Sequence, residues 1–298
     1  GLQRLGRDVW FVEQLQSPDP GAIAYFQLYL KIAPGGDLGG RSEPGESVPD
    51  EVHDRIRGRK GSFDRVLATL ALLDEVAGER SAAARGRLRF GIDCVVIRSN
   101  FPQLEAFAAD IAHRFPHLTT LGFNAAVPEG LASRPEFCAH ELLDDDQVAR
   151  LTSETLRSRL RALAPPSVSV HTTDNMNLVM NPERVARRVD TLVMQVEPDG
   201  LVRGIPVYEG TVGSLLEEPG SVLWERTLAR LEDPFVVETL SSVHSMGTWA
   251  EAVRLMDRRF GSAEDIARFD RRSVRTNPPE FITPAAVTAQ GAAGRHSA

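Results

Sequence analysis

The stretch Leu88-Arg89-Phe90-Gly91-Ile92-Asp93-Cys94-Val95-Val96-Ile97 decides the fold of this chain. A β-branched run this short reads as a strand, and its apolar character suits a parallel sheet covered on both faces. Upstream, Ser62 is a candidate N-cap, and Phe63, Val66, Leu67, Leu70, Leu73 and Val76 recur at helical spacing, with Gly78 as the stop signal. Downstream, the pattern predicts a helix over residues 101–115 and a strand at Leu118-Thr119-Thr120-Leu121-Gly122-Phe123-Asn124. A helix over residues 145–163 follows, then Pro165-Pro166 and a strand at Ser167-Val168-Ser169-Val170-His171. Strands alternating with helices build βαβ units around a parallel sheet, open or closed into a barrel. The expected class is α/β, with ligands held beyond the C-terminal ends of the strands.

The flanks are less regular. Arg7-Asp8-Val9-Trp10-Phe11-Val12 reads as a short strand, and Ala22-Ile23-Ala24-Tyr25-Phe26-Gln27-Leu28-Tyr29-Leu30 as a buried helix or strand that periodicity does not separate. The Gly- and Pro-rich residues 34–45 form a loop or linker. Near the other end, Thr191-Leu192-Val193-Met194-Gln195-Val196 and Leu201-Val202-Arg203 flank Glu197-Pro198-Asp199-Gly200, a β-hairpin signal in which Asp-Gly supplies the positive φ of a tight turn. Helices are predicted over residues 221–231 and 248–260, followed by a tail with the composition of a disordered segment. The domain reading is an irregular segment at 1–49, an α/β body at 50–185, a smaller α+β extension at 186–272 and a disordered tail at 273–298.

The 298 residues are 42% hydrophobic and 25% charged, enough to bury a sizeable core. A formal charge of -7 argues against a generic nucleic-acid surface, which needs a clustered basic face. No window approaches the roughly 20 apolar residues that span a bilayer, and the start lacks a signal-peptide pattern, so a cytoplasmic location is the expectation. The chain starts at Gly1, and a processed, trimmed or fragmentary product is the expectation. Two cysteines, Cys94 and Cys138, stand at no metal-ligand spacing and read as reduced thiols.

The phrases Val52-His53-Asp54-Arg55-Ile56-Arg57-Gly58 and Gly61-Ser62-Phe63-Asp64-Arg65-Val66-Leu67 carry a resemblance to the radical SAM superfamily. So do the strand ending Ile97-Arg98-Ser99-Asn100 and Phe123-Asn124-Ala125-Ala126-Val127-Pro128-Glu129-Gly130, similar to the fourth and fifth barrel strands of that family. Val196 to Pro206, Gly210-Thr211-Val212-Gly213-Ser214-Leu215 and Leu223-Trp224 resemble the hairpin, turn and helix of a SPASM-type extension. The resemblance implies a partial (β/α) barrel with a small C-terminal α+β extension, S-adenosyl-L-methionine (SAM) and a 4Fe–4S cluster as cofactors, and a peptide or small-molecule substrate. Arg98, Asn100 and Asn124 are the cofactor-binding candidates it implies, as partners of the SAM carboxylate, ribose or methionine part. The chain departs from the family where its chemistry resides: no C-x-x-x-C-x-x-C loop exists, Val12-Glu13-Gln14-Leu15-Gln16 stands where the SAM amino-binding phrase is expected, and Gly204-Ile205 replaces the first auxiliary cysteine. The cluster is therefore expected to be unbound by this chain, which is expected to be inactive as a radical enzyme.

Plainer readings compete at each candidate. Asn100 and Asn124 would equally close strand-to-helix turns, and for Asn100 the turn reading leads; an Arg at a strand end, as at Arg98, is commonly solvated. Cys138, His140 and Glu141 match no tetrahedral metal site. Asp144, Asp145 and Asp146 read as helix N-terminal residues favoured by the macrodipole. His171, Thr172, Thr173, Asp174 and Asn175 occupy a ligand-facing position or a plain turn, and His53-Asp54-Arg55 reads as the opening of a helix. The arginine runs at residues 55–60 and 268–275 read as solvated faces. Three functions follow: a disrupted radical SAM enzyme, a non-catalytic pseudoenzyme holding a peptide or partner, and an unrelated α/β enzyme for which no nucleophile–base pair or phosphate loop is present.

Overall fold

A computed structural model describes residues 2–4, 10–12, 53–54, 60–82, 88–187 and 192–271. The chain divides into two units, residues 1–127, 143–191 and 244–246 in the first and residues 128–142, 192–243 and 247–298 in the second. The chain thus leaves the first unit three times, at residues 128, 192 and 247. The apolar segment at 22–30, the loop at 34–45 and the tail at 273–298 lie outside the described residues.

The first unit opens with β1 (Leu2–Arg4) paired antiparallel to β2 (Trp10–Val12). Helix α1 (Ser62–Ala82) comes next. Its capping group is not Ser62, which is its first helical residue, but the Asp54 carboxylate, which accepts from Phe63 N–H at 2.9 Å and also from Gly61 N–H. Nor does Gly78 stop it: the helix runs on to Ala82, and a Cβ at Gly78 would stand 3.0 Å from the His117 ring. That glycine permits a close approach and is not a terminator.

The central sheet comprises β3 (Phe90–Val96), β4 (Leu118–Ala125) and β5 (Ser169–Thr173), all parallel, in the order β3-β4-β5. Helix α2 (Leu104–Asp110) lies between β3 and β4 and is flanked by 3-10 turns, where one continuous helix is predicted. In the second unit, α3 (Pro135–His140) follows β4 in sequence. The predicted helix over 145–163 is two, α4 (Asp145–Leu151) and α5 (Glu154–Leu163). The break falls at Thr152 and Ser153, whose hydroxyls donate back to the Val148 carbonyl at 2.9 Å and the Arg150 carbonyl at 2.7 Å. Such bonding competes with the helical ladder, and Ser153 Oγ then caps α5 by accepting from Leu156 N–H. After β5 comes the short α6 (Pro182–Ala186).

Among the described residues, helices cover one face of this sheet only. Val96, Leu121, Phe123 and Val170 are buried there, with Phe107 of α2 edge-on to Phe123 at 6.1 Å, while α5 packs on β5 and on α2. Each such side chain contributes about 1.5–3 kcal/mol on burial. The opposite face is open: Asp93 and Val95 of β3 and Ser169 and His171 of β5 are exposed. The expectation of a sheet covered on both faces is therefore corrected. Successive side chains point to opposite faces, so Asp93 and Val95 share a face with Gly91 and not with Val96. The fold is α/β with a small parallel sheet; the described strands form no closed barrel.

The second unit holds β6 (Gln195–Val196), β7 (Leu201–Arg203) and β8 (Thr211–Ser214), an antiparallel sheet in that order. Gly200 has φ 85° in the predicted hairpin turn. Helices α7 (Gly220–Leu231), α8 (Pro234–Ser241), α9 (Met246–Phe260) and α10 (Ala263–Arg271) complete it. Val202, Val212 and Leu223 form its small sheet-to-helix core. No helix among the described residues is long and apolar enough to cross a membrane.

Candidate functional site

Asn100 closes the turn after β3. Its Oδ1 accepts from Ile97 N–H at 2.8 Å and its Nδ2 donates to the Val95 carbonyl at 2.8 Å, so both ends of the amide are committed to local backbone. Arg98 lies half-buried in the same turn. Asn100→Ala is expected to cost about 1–2 kcal/mol through the two lost bonds, seen as a lower urea midpoint. An unchanged midpoint would show that the turn closes without the amide.

Asn124 is placed differently, because it lies on the open face of the central strand. Its Nδ2 donates to Asp93 Oδ1 at 3.2 Å, while its Oδ1 is buried without a hydrogen-bond partner among the described residues. A buried acceptor left unsatisfied costs about 1–3 kcal/mol, so native proteins rarely keep one without a reason. The parallel register places Asp93 opposite Gly122 and Gly122 opposite His171. With no side chain on the middle strand, Asp93 and His171 meet across it, Oδ1 to Nε2, at 3.7 Å. That separation is too long for a hydrogen bond and serves as a charge contact when the imidazole is protonated. A Cβ at Gly122 would lie 2.2 Å from Asp93 Oδ1 and 2.5 Å from His171 Nε2. The His171 imidazole, and after it the Asn124 amide, hold the Asp93 carboxyl below the usual carboxylate range against the opposing pull of burial.

Of the residues His171 to Asn175, His171 alone reaches this row, from inside β5. Thr173 Oγ1 accepts from Asn175 N–H at 2.9 Å, Asp174 Oδ1 accepts from Met176 N–H at 3.0 Å, and Asn175, at φ 60°, donates to the Ala125 carbonyl at 2.8 Å. These three residues close a turn. Asp93 is the site residue that the sequence reading overlooked. Its signal was present: a carboxylate inside an otherwise apolar strand is rarely placed there without a partner.

The remaining candidates are structural. Ser62 Oγ donates to Asp54 Oδ1 at 2.9 Å and lies 3.0 Å from His53 Nδ1. A hydroxyl whose one hydrogen already goes to a carboxylate is not activated by the histidine, which sets this trio apart from a nucleophile relay. Asp144 caps α4 in a reciprocal box with Gln147. Cys138 donates to the Ser133 carbonyl at 3.4 Å, and burial pushes its thiol up. Neighbouring His140 is exposed while Glu141 is buried, and no His/Cys/Asp/Glu group among the described residues is arranged to hold a metal. In the second unit, Arg203 meets Glu197 at 2.7 Å and Glu129 and Glu209 at 3.5 Å each. Asp257 accepts from Glu209 N–H at 2.8 Å.

No family model, curated protein or solved structure matches the chain. A site-bound 4Fe–4S cluster open to SAM needs three thiolates, and the chain carries only Cys94 and Cys138, so its own residues do not fit that group. SAM presents hydroxyl and amino donors, the kind of group that an amide oxygen accepts from.

Proposed function

We propose that the first unit is a radical-SAM-type binding scaffold whose open sheet face holds SAM or a ligand of like chemistry, and that this chain does not perform radical cleavage by itself. The observation that carries the reading is the buried Oδ1 of Asn124, without a hydrogen-bond partner among the described residues, on a sheet face that the described helices leave uncovered. The sequential parallel order β3-β4-β5, with helices on the other face, supports a sector of a (β/α) barrel, whose inner face and C-terminal rim hold ligands. Arg98 and Asn100, in the turn at the C-terminal end of β3, shape the rim. A SAM-dependent radical enzyme acting on a peptide or small molecule is the ancestry that the phrases from Val52 to Trp224 support.

Titration of the chain with SAM tests this directly. Asn124→Ala is expected to weaken binding about tenfold, the loss of one or two hydrogen bonds at about 1.4 kcal/mol per decade. No binding to the unsubstituted chain, or equal binding to the variant, rejects the reading. Anaerobic iron–sulfur reconstitution supplies a separate check, since a stoichiometric 4Fe–4S spectrum would overturn the exclusion of cluster chemistry.

A further inference from the structure

We infer that residues Gly204 to Gly210 form a strained clamp on α9 that opens locally, ahead of the rest of the second unit, when the Asp257 carboxyl ionises. The segment joins β7 to β8, and all of its residues are buried except Glu209, which is partly so. Two adjacent residues tie it to one helix. The Tyr208 hydroxyl accepts from Trp249 Nε1–H at 3.1 Å, and Glu209 N–H donates to Asp257 Oδ1 at 2.8 Å. Gly210, at φ 103°, sits against the last residue of the same helix, where a Cβ would lie 2.5 Å from Phe260 Cβ and 2.7 Å from the Phe260 carbonyl oxygen. Next to these ties Val207 has φ 79°. A β-branched residue is a genuine outlier in that region, because its side chain crowds the backbone, and such strain persists only where the surroundings over-determine it. The contacts of Tyr208, Glu209 and Gly210 with α9 supply that constraint, so releasing them also releases the strain at Val207.

The charges around Asp257 decide when the ties give way. Arg203 attracts its carboxyl from β7, but that guanidinium is already shared among Glu197, Glu209 and Glu129. Glu209 in the clamp itself and Glu129 repel a negative charge at Asp257, and the Tyr208 phenol faces it as well. Burial is the largest effect and outweighs the favourable Glu209 N–H bond, so the carboxyl is raised to about 7. Opening the clamp hydrates this carboxylate and moves it away from Glu209. The closed clamp therefore holds a proton that the open one releases: it is favoured below the ordinary carboxylate range and weakens as the pH climbs through 7.

Native-state amide hydrogen exchange of the full chain, read as protection factors at pH 5.5 and 8.5 over a series of low urea concentrations, tests the clamp. A local opening exposes little surface, so exchange of the Val207 to Gly210 amides is expected to be nearly insensitive to urea, whereas amides within α7 follow the urea slope of unfolding. Protection of the clamp amides is expected to fall about thirtyfold between the two pH values, the linkage for a carboxyl that moves from about 7 when closed to about 3.9 when open. Both comparisons are made on the unsubstituted chain and depend on no variant folding. Asp257→Asn, which keeps an acceptor for the Glu209 N–H, is expected to remove the pH dependence. Clamp amides that share the urea slope of α7 at both pH values overturn the inference, because the segment then opens only with the whole unit. A urea-insensitive exchange that does not change with pH, or whose change survives Asp257→Asn, overturns it equally.

Discussion

Raising the pH from 5.5 to 8 is expected to lower the stability of the second unit by about 2 kcal/mol, and Asp257→Asn is expected to abolish that loss. Asp257 lies on α9, 5% exposed, and burial raises its carboxyl pKa to about 7. The Glu209 N–H donates to it and Arg203 attracts it, but the Glu209 and Glu129 carboxylates repel its charge, and Arg203 is already shared among three glutamates. Because the folded-state value lies above the value of an unfolded aspartate, near 3.9, the folded unit holds a proton that the unfolded chain releases. The stabilisation is complete below about pH 4, falls steadily as the pH rises, and is gone once the pH has passed the folded value. An asparagine carbonyl preserves the bond from Glu209 and has no charge to bury. The variant is therefore expected to be more stable at pH 8 by up to about 4 kcal/mol, the full linkage between the two values. Urea unfolding across this pH range reads both profiles, and parallel curves for the two proteins would refute the assignment.

Trp249→Ala is expected to destabilise the same unit by about 3–5 kcal/mol, the range for truncating a large buried aromatic. Trp249 is fully buried on α9, and its Nε1–H donates to the Tyr208 hydroxyl at 3.1 Å. Ala250, Val253 and Met256 are buried on the same helix, so the residues at helical spacing from Trp249 carry its inward stripe. Tyr208 is buried as well, and burial pushes its phenol above its ordinary range, which keeps the hydroxyl neutral as the acceptor of the indole N–H. Trp249→Phe separates the contributions: it keeps most of the packing and loses the hydrogen bond, and is expected to cost about 1–1.5 kcal/mol beyond the volume change. Equal costs for the two variants, measured by chemical denaturation, would mean that the hydrogen bond rather than the packing dominates.

Much of the site's scaffold was legible because periodicity is a property of the chain itself. The strands at Phe90–Val96 and Leu118–Ala125, the hairpin turn at Gly200 and the α9 stripe follow from the spacing of apolar residues and from turn chemistry. Asp144 at the start of α4 was legible for the same local reason. The break at Thr152 and Ser153 was not, since a hydroxyl that bonds backward and one that points to solvent look alike in sequence.

What the sequence determined by itself is the α/β alternation, the hairpin extension, and a count of two cysteines, too few to hold a 4Fe–4S cluster by thiolates alone. What only the tertiary structure decided is which groups meet. Asp93 and His171 are far apart in sequence, and they become neighbours because two parallel registers set both opposite the same glycine. Asn100 and Asn124 both stand near strand ends, and the sequence favours the turn reading only for Asn100. One is committed to its own turn, while the other keeps a buried acceptor without a partner, because hydrogen-bond satisfaction depends on what the folded neighbourhood supplies.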